Sequence, residues 1–416
     1  MRDVVVVSAC RTAIGAFGGT LKDSDAVTLA GTVMSAAVAR AGIDPREVDD
    51  IRFGCVFEPI DACNVGRVAA LVAGLPEATP AVTINRVCLS GMEAVVSGMA
   101  MIQAGMADVI LAGGVEAMSN VPYTLPSARW GARMQDQPLV DDLIHGLHCG
   151  SYYFPHPEDG PVDATVSPLK DLVGRPYIMG LTAEFVAQHH GITREEMDEL
   201  ALRSHRSVER ATNDGSFTEE IVPVTVTRRG KDPIAFAQDE HFRPGITLEK
   251  LASLAPAFVP KTGTVTAGNS SGINDGAAAL LIMGADKAAD LGLTPLARLR
   301  ATGRGACHPS VMGLSPVPAV HDLLTRSGLS LGDFGLIEVN EAFAAQYIAV
   351  ERELGLDREI TNVNGSGIGL GHPVGATGAR VLVTLLHEMR RRDVSLGLAT
   401  LCGGGGVSLA LALEAL

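Results

Sequence analysis

At 416 residues the chain is too long for one hydrophobic core, and with 47% apolar but only 4% aromatic residues it must pack through small and β-branched side chains. A formal charge of −14 excludes the strong positive field that gathers nucleic-acid phosphates or anionic lipid. Seven scattered cysteines, odd in number and without a C-x-x-C pair, exclude a disulfide framework or zinc ribbon and suit a reducing compartment.

No run approaches the ~20 apolar residues of a membrane span, and the N-terminus enters a strand-like run, Val4 to Val7, in place of a signal peptide. The expectation is a cytoplasmic protein of two or three domains. Residues 3–8 read as a strand that breaks into a glycine-punctuated loop up to Gly19. A helix over 29–41 stops at Gly42, and 51–57 reads as a strand. A helix over 64–73 ends at Gly74, and Pro76 prevents its continuation. Residues 81–84 lean to β structure and lead through a turn to Cys88. From Leu89 to Ala104 only Glu93 and Gln103 are strongly polar, so this segment predicts a helix inside a large core. Cys88 then stands at the helix's first turn, where unpaired N–H groups favour an anion and lower a thiol's pKa. The plainer alternative is a small buried hydrophobe among Val and Met.

A buried strand over 109–114 follows, with Glu116 just beyond. Strands alternating with helices at this spacing predict an α/β fold. From 121 to 271 prolines interrupt the pattern and a charged helix spans 193–213, an excursion that reads as a lid or ligand platform, against a decorative insertion. The α/β texture returns at 275–283, and the last third echoes the first. Residues 41–51 resemble 327–337, where a helix ends at glycine and a turn leads to a strand, and 109–114 has a counterpart in 399–404. The turn before Cys88 and its helix correspond in order to a turn at 365–372 and a helix from about Val374 to Arg391. The pattern predicts two duplicated halves whose corresponding turns meet. The divisions are 1–121 (completed by about 272–292), 122–271 and 293–416.

In the second half those turns carry Asn340 after a buried strand, His372 at a helix start, and Cys402 before Gly403 to Gly406. Each has a dull explanation as a cap, turn or core residue. Together with Cys88 they form an acyl-transfer kit. One thiol can carry an acyl group, an imidazole can take its proton, a second thiol can act as acid or base, and glycine N–H groups can serve an oxyanion hole. Neither a G-x-G-x-x-G nor a P-loop motif is complete. His145, His148 and Cys149 are metal ligands by type but have no clear fourth partner, so no metal is expected.

These residues resemble the thiolase family over essentially the whole chain. The resemblance rests on the Cys88 segment, Asn340-Glu341-Ala342-Phe343, Gly371-His372-Pro373, Cys402 with its glycines, 269–276 and 179–184. It implies a five-layered αβαβα fold from two thiolase halves, with 122–271 as a loop domain that holds coenzyme A. It also implies a homodimer or homotetramer that takes CoA and acyl-CoA as substrates without a tightly bound cofactor, acting in fatty-acid metabolism. Carried over, Cys88 is the nucleophile, His372 its activator and Cys402 the acid or base at the α-carbon. Asn340 positions a water which, with His372, holds the enolate oxygen; the N–H groups of Cys88 and Gly404 form a second oxyanion hole. Ser271 contacts the pantetheine arm, and Arg228, Arg229 and Lys231 fall near the nucleotide end. The family usually has glycine where Leu89 stands, which would narrow or reshape the acyl pocket. Its short-chain members usually have histidine where Ile178 stands, and the segment from 145 to 176 is longer than usual. The alternatives are a ketoacyl synthase-like condensing enzyme and a non-catalytic CoA-binding subunit on the same scaffold.

Overall fold

The structure, a computed structural model, describes residues 2–156, 174–228 and 230–416. Strand β1 (Val4–Thr12) is buried at all nine positions, as expected of a strand covered on both faces. Its side chains divide by the two-residue period of a strand: Val4 and Val6 enter a central apolar cluster, Val5 and Val7 an outer one. Helix α1 (Ala26–Ala41) begins where the Asp25 carboxylate accepts from the Thr28 N–H and ends at Gly42, φ 70°. β2 (Asp50–Gly54), α2 (Val65–Val72), β3 (Ala81–Ile84), α3 (Ser90–Gln103) and β4 (Val109–Ala117) continue this half. The strand expected over 51–57 stops at Gly54, because the N–H groups of Val56 and Phe57 turn to the Glu116 carboxylate instead of a neighbouring strand.

The excursion carries α4 (Met179–His189), α5 (Arg194–Asn213) and a hairpin of β5 (Val224–Arg228) and β6 (Lys231–Phe236). A capping box between Thr193 and Glu196 opens α5. This segment is packed, not appended. Tyr177, Phe185 and Met197 share an apolar cluster with Tyr347 and Ile348, and the fully buried Arg11 pairs with Glu220 at 2.6 Å and Asp239 at 2.7 Å.

β7 (Asn274–Gly284) completes the first half. The second contains β8 (Ala297–Ala306), α6 (Pro316–Ser327), β9 (Leu336–Val339), α7 (Ala344–Leu354), α8 (Val374–Arg392), β10 (Leu396–Gly403) and β11 (Val407–Ala415). The strands run in the order β9-β10-β11-β8-β1-β7-β4-β2-β3. Outward from the centre each half repeats one pattern. β1–β7 and β7–β4 are antiparallel and β4–β2 and β2–β3 parallel. β8–β11 and β11–β10 are likewise antiparallel, β10–β9 is parallel, and Ile337 bridges Thr361 in parallel fashion at the position matching β3. The duplication is thus written in the backbone hydrogen bonds.

The halves sandwich α3 and α8. Met92, Val95 and Ile102 of α3 and Leu382, Leu385 and Met389 of α8 fill the central cluster, while α1 with α2 and α6 with α7 cover the outer faces. This gives five layers. The two central helices touch backbone to backbone. A Cβ on Gly91 would lie 2.7 Å from the Ala379 nitrogen, and one on Gly378 would lie 2.3 Å from the Met92 nitrogen. Neither position tolerates a side chain without moving a helix. Gly378→Val is therefore expected to lower the unfolding free energy by about 3 kcal/mol, the upper end for overpacking a core, measured as a fall in the urea midpoint.

Candidate active site

The Cys88 turn is built by local hydrogen bonds. Asn85 Oδ1 accepts from the Val87 N–H at 3.1 Å, and Ser90 Oγ accepts from the Arg86 N–H at 2.8 Å and donates to the Val87 carbonyl at 2.6 Å. They hold Val87 at φ 51°, a left-handed conformation that is costly for a β-branched residue. Cys88 follows directly, just outside α3, and its side chain packs with Met118, Leu143 and Val374. Burial pushes its thiol up to about 11, although the N–H groups of Gly404 and of Cys88 itself pull the other way. The helix-lowered thiolate expected from position alone is thus overruled by desolvation.

His372 is fixed through its backbone and through its ring. Its backbone N–H donates to Asn274 Oδ1 at 2.9 Å, and the Asn274 side-chain amide donates to the Gly15 carbonyl at 2.9 Å. Its Nδ1 lies 2.7 Å from Thr377 Oγ1, whose hydroxyl donates to the Pro373 carbonyl at 2.9 Å. The hydroxyl proton being engaged, Thr377 accepts from Nδ1–H, and Nε2 carries the free lone pair. Burial, and then the positive charge of Arg380, push His372 down to about 3. It is a neutral base with Nε2 forward.

Asn340 closes β9, its N–H donating to the Thr400 carbonyl at 3.1 Å. Its Nδ2 stands 3.5 Å from His372 Nε2. Cys402, near the end of β10, is fully buried among Met179, Met312 and Ala342. Burial lifts its thiol well above the ordinary range, with the negative charge of a Cys88 thiolate adding to the effect. Gly404 presents its N–H to Cys88 Sγ. A Cβ on Gly404 would fall 2.2 Å from Cys149 Sγ, so glycine is the residue that fits beneath the Cys149 thiol. Ser271 is half-buried, its N–H donating to the Ala342 carbonyl at 2.9 Å.

The structure therefore places Gly404 and Cys402 beside Cys88 and Asn340 beside His372, with Val374, two residues beyond His372, packed against Cys88. Arg229 lies outside the described residues, as do the side chains of Arg228 and Lys231. His145 stacks on Tyr152 with ring centroids at 4.4 Å, and His148 packs tilted against the same ring at 4.7 Å. Leu89 does not narrow the site directly. It is fully buried in the central cluster, where its Cγ would meet a Cβ on Gly403 at 3.0 Å.

Sequence reasoning missed several supports. Glu116, fully buried, accepts from Val56 and Phe57 N–H at 3.0 Å and from Gly375 N–H at 2.9 Å, tying the first half to the start of α8. A carboxylate at the end of an apolar strand was the available signal. Thr377, one turn beyond Pro373, was legible from its spacing. Asn274, Arg380 and Cys149 carried no local signal.

Fold and site together define a duplicated α/β protein with a buried thiol–imidazole–amide centre where its halves meet. The family model "Thiolase, N-terminal domain" matches residues 4–154 and 156–286, and "Thiolase, C-terminal domain" matches 293–415. An acetyl-CoA acetyltransferase of Cupriavidus necator is 48% identical over 414 residues, covering 100% of both chains. The crystal structure of the Bacillus anthracis acetyl-CoA acetyltransferase matches with a TM-score of 0.92 at 46% identity, over 100% of this chain and 99% of that one. Human mitochondrial 3-ketoacyl-CoA thiolase in complex with CoA matches with a TM-score of 0.89 at 40% identity, over 100% and 98%. The chain belongs to the thiolase family.

Two outcomes follow from the geometry. Alkylation of Cys88 by iodoacetamide is expected to accelerate steadily from about pH 6 to about pH 9, because its thiol stays protonated there, whereas a low-pKa thiolate reaches a plateau. Thr377→Val, which leaves the Nδ1–H of His372 unpaired, is expected to cut kcat by about 10- to 100-fold with little change in KM, the range for losing a partner that orients a ring.

Proposed function

We propose that the protein is a thiolase that reversibly cleaves 3-ketoacyl-CoA with CoA, passing the acyl group through Cys88. The observation that carries this reading is the convergence of the Gly404 N–H on Cys88 Sγ with a neutral His372 beside Asn340. In cleavage, Cys88 Sγ attacks the 3-keto carbon as its proton passes to His372 Nε2. The N–H groups of Cys88 and Gly404 hold the resulting oxyanion. The C2–C3 bond then breaks, its electrons forming the enolate of acetyl-CoA. His372 and a water held by Asn340 stabilise the enolate oxygen, and Cys402 protonates C2. Free CoA gives its proton to the Cys402 thiolate and attacks the acyl thioester. Cys88 leaves as thiolate and recovers its proton from His372. The reverse sequence condenses two acetyl-CoA.

A buried second thiol speaks against a decarboxylating condensing enzyme, which needs no acid or base at C2. The full reactive set speaks against a non-catalytic CoA-binding subunit. Cys402→Ala is expected to lower acetoacetyl-CoA cleavage by about 10²- to 10⁴-fold, the range for a lost general acid. An acyl adduct on Cys88 still forms in that variant and is read by mass spectrometry. Full cleavage by Cys402→Ala, or no adduct on Cys88 in the unmodified protein, overturns the assignment.

The span 122–271 is proposed to hold CoA, with Ser271 against the pantetheine arm. Ile178, half-buried before α4 where short-chain members usually have histidine, supports turnover beyond C4. Thiolysis rates across a ladder of 3-ketoacyl-CoA lengths test this, and strict restriction to acetoacetyl-CoA refutes it. A second copy of the chain is the expected partner. β3 lies at the end of the strand order with Val82 exposed, and Leu71 and Val72 are exposed on the neighbouring α2, the kind of open edge that pairing covers. Light scattering at low micromolar concentration is expected to give a dimer or tetramer. Among the described residues no helix is long and apolar enough to cross a membrane, and the proposed setting is the cytoplasm.

A further inference from the structure

Arg380 has no part in the chemistry above, yet it lies fully buried one turn beyond Thr377 on α8. Its Nη2 donates to Asn340 Oδ1 at 3.3 Å and to Ser366 Oγ at 3.3 Å. Its nearest carboxylate, Glu338, stands 3.8 Å from Nη1, too far for a hydrogen bond. Nε and Nη1 have no hydrogen-bond partner among the described residues. A buried guanidinium held this loosely is a poor device for stability, since desolvation costs more than so long an ion pair returns.

We propose that Arg380 is a positioning residue that fixes which way the Asn340 amide faces. The argument is one of donor and acceptor chemistry. An asparagine amide is nearly symmetric in shape, and its two ends differ only in what they can bond. A guanidinium can only donate, so the end facing Arg380 must be the oxygen. The NH₂ end is then obliged to face His372 Nε2, which has a lone pair to receive it. Turned over, the amide would set NH₂ against N–H of Arg380 and oxygen against the lone pair of Nε2, leaving both contacts unmade. Asn340 can therefore offer a donor toward the substrate side only while Arg380 holds the far side. The backbone leaves room for this: a Cβ on Gly367 would come within 2.8 Å of Asn340 Oδ1. The positive charge of Arg380 also helps to keep His372 neutral, so the same group supports both members of the pair.

This inference rests on the thiolase mechanism, in which Asn340 serves the enolate stage and not the acylation of Cys88. The two stages can be measured separately in the full-length enzyme. Exchange of labelled CoA into acetyl-CoA passes through the acyl-Cys88 thioester without an enolate, while cleavage of acetoacetyl-CoA also needs the enolate stage. Arg380→Met is expected to lower kcat for cleavage by about 10- to 100-fold, somewhat less than deleting an oxyanion-hole donor outright. KM and the exchange rate should stay within about threefold. Arg380→Met combined with Asn340→Ala should be no slower in cleavage than Asn340→Ala alone within about twofold, because a residue that acts through another adds nothing once that other is gone. Arg380→Lys keeps the cation without the planar fork and should fall between the unmodified enzyme and Arg380→Met; if Arg380→Met does not fold, the cleavage-to-exchange ratio of Arg380→Lys decides. Equal losses in both reactions, or additive losses in the double variant, overturn the role of Arg380. An unmodified enzyme that shows neither exchange nor cleavage overturns the thiolase reading instead.

Discussion

The contact on which the site depends is backbone against backbone where α3 meets α8. Gly91 and Gly378 let the two helices approach until nitrogen atoms of one would collide with any Cβ on the other. Cys88 precedes the first of these helices and His372 the second. Wider separation by one side-chain layer would part the thiol from the imidazole. Glu116 reinforces the junction, since a single buried carboxylate accepts from the turn after β2 and from the first turn of α8. Its burial lifts it to about 7 while the three N–H groups pull it down, so the junction is a carboxyl group held by dipoles in a dry interior.

That dryness sets the electrostatics of the centre. Desolvation is the largest influence on Cys88, His372 and Cys402, and in each case it favours the neutral form. The resting centre is thiol, imidazole and thiol, without the ion pair that a helix terminus alone would suggest. In the proposed reaction charge arises only as substrate oxygen becomes negative, and the donors proposed to meet it are already in place: the N–H of Gly404, the N–H of Cys88 and the amide of Asn340. A donor set that needs no rearrangement is most effective where water is excluded. The left-handed Val87 beside Cys88 fits this pattern, its strain held by Asn85 and Ser90.

Much of the architecture was legible residue by residue. The glycines that end α1 and α2, the charged α5 and the apolar α3 all follow from local preference and periodicity. So did the duplication, because the same helix-stop, turn and strand recur in order. Besides the lowered Cys88 thiol, two local expectations failed for non-local reasons. The strand through 55–57 yielded to the Glu116 carboxylate, which lies on β4. Leu89, beside Cys88 in sequence, turns into the central core because a helix start sends neighbouring side chains in different directions.

The chain by itself determined which groups are present and that the halves are related: two cysteines, a histidine and an asparagine at corresponding turns of a repeated α/β pattern. Those are matters of composition, period and order, which a linear string records. Only the tertiary structure decided their states and orientations. The neutral thiol, the Nδ1–H tautomer set by Thr377, the amide of Asn340 faced by Arg380 and the Cys149 thiol lying on Gly404 each depend on groups far apart in the chain. Desolvation and donor–acceptor matching act through space, so they come into being only when the two helices meet.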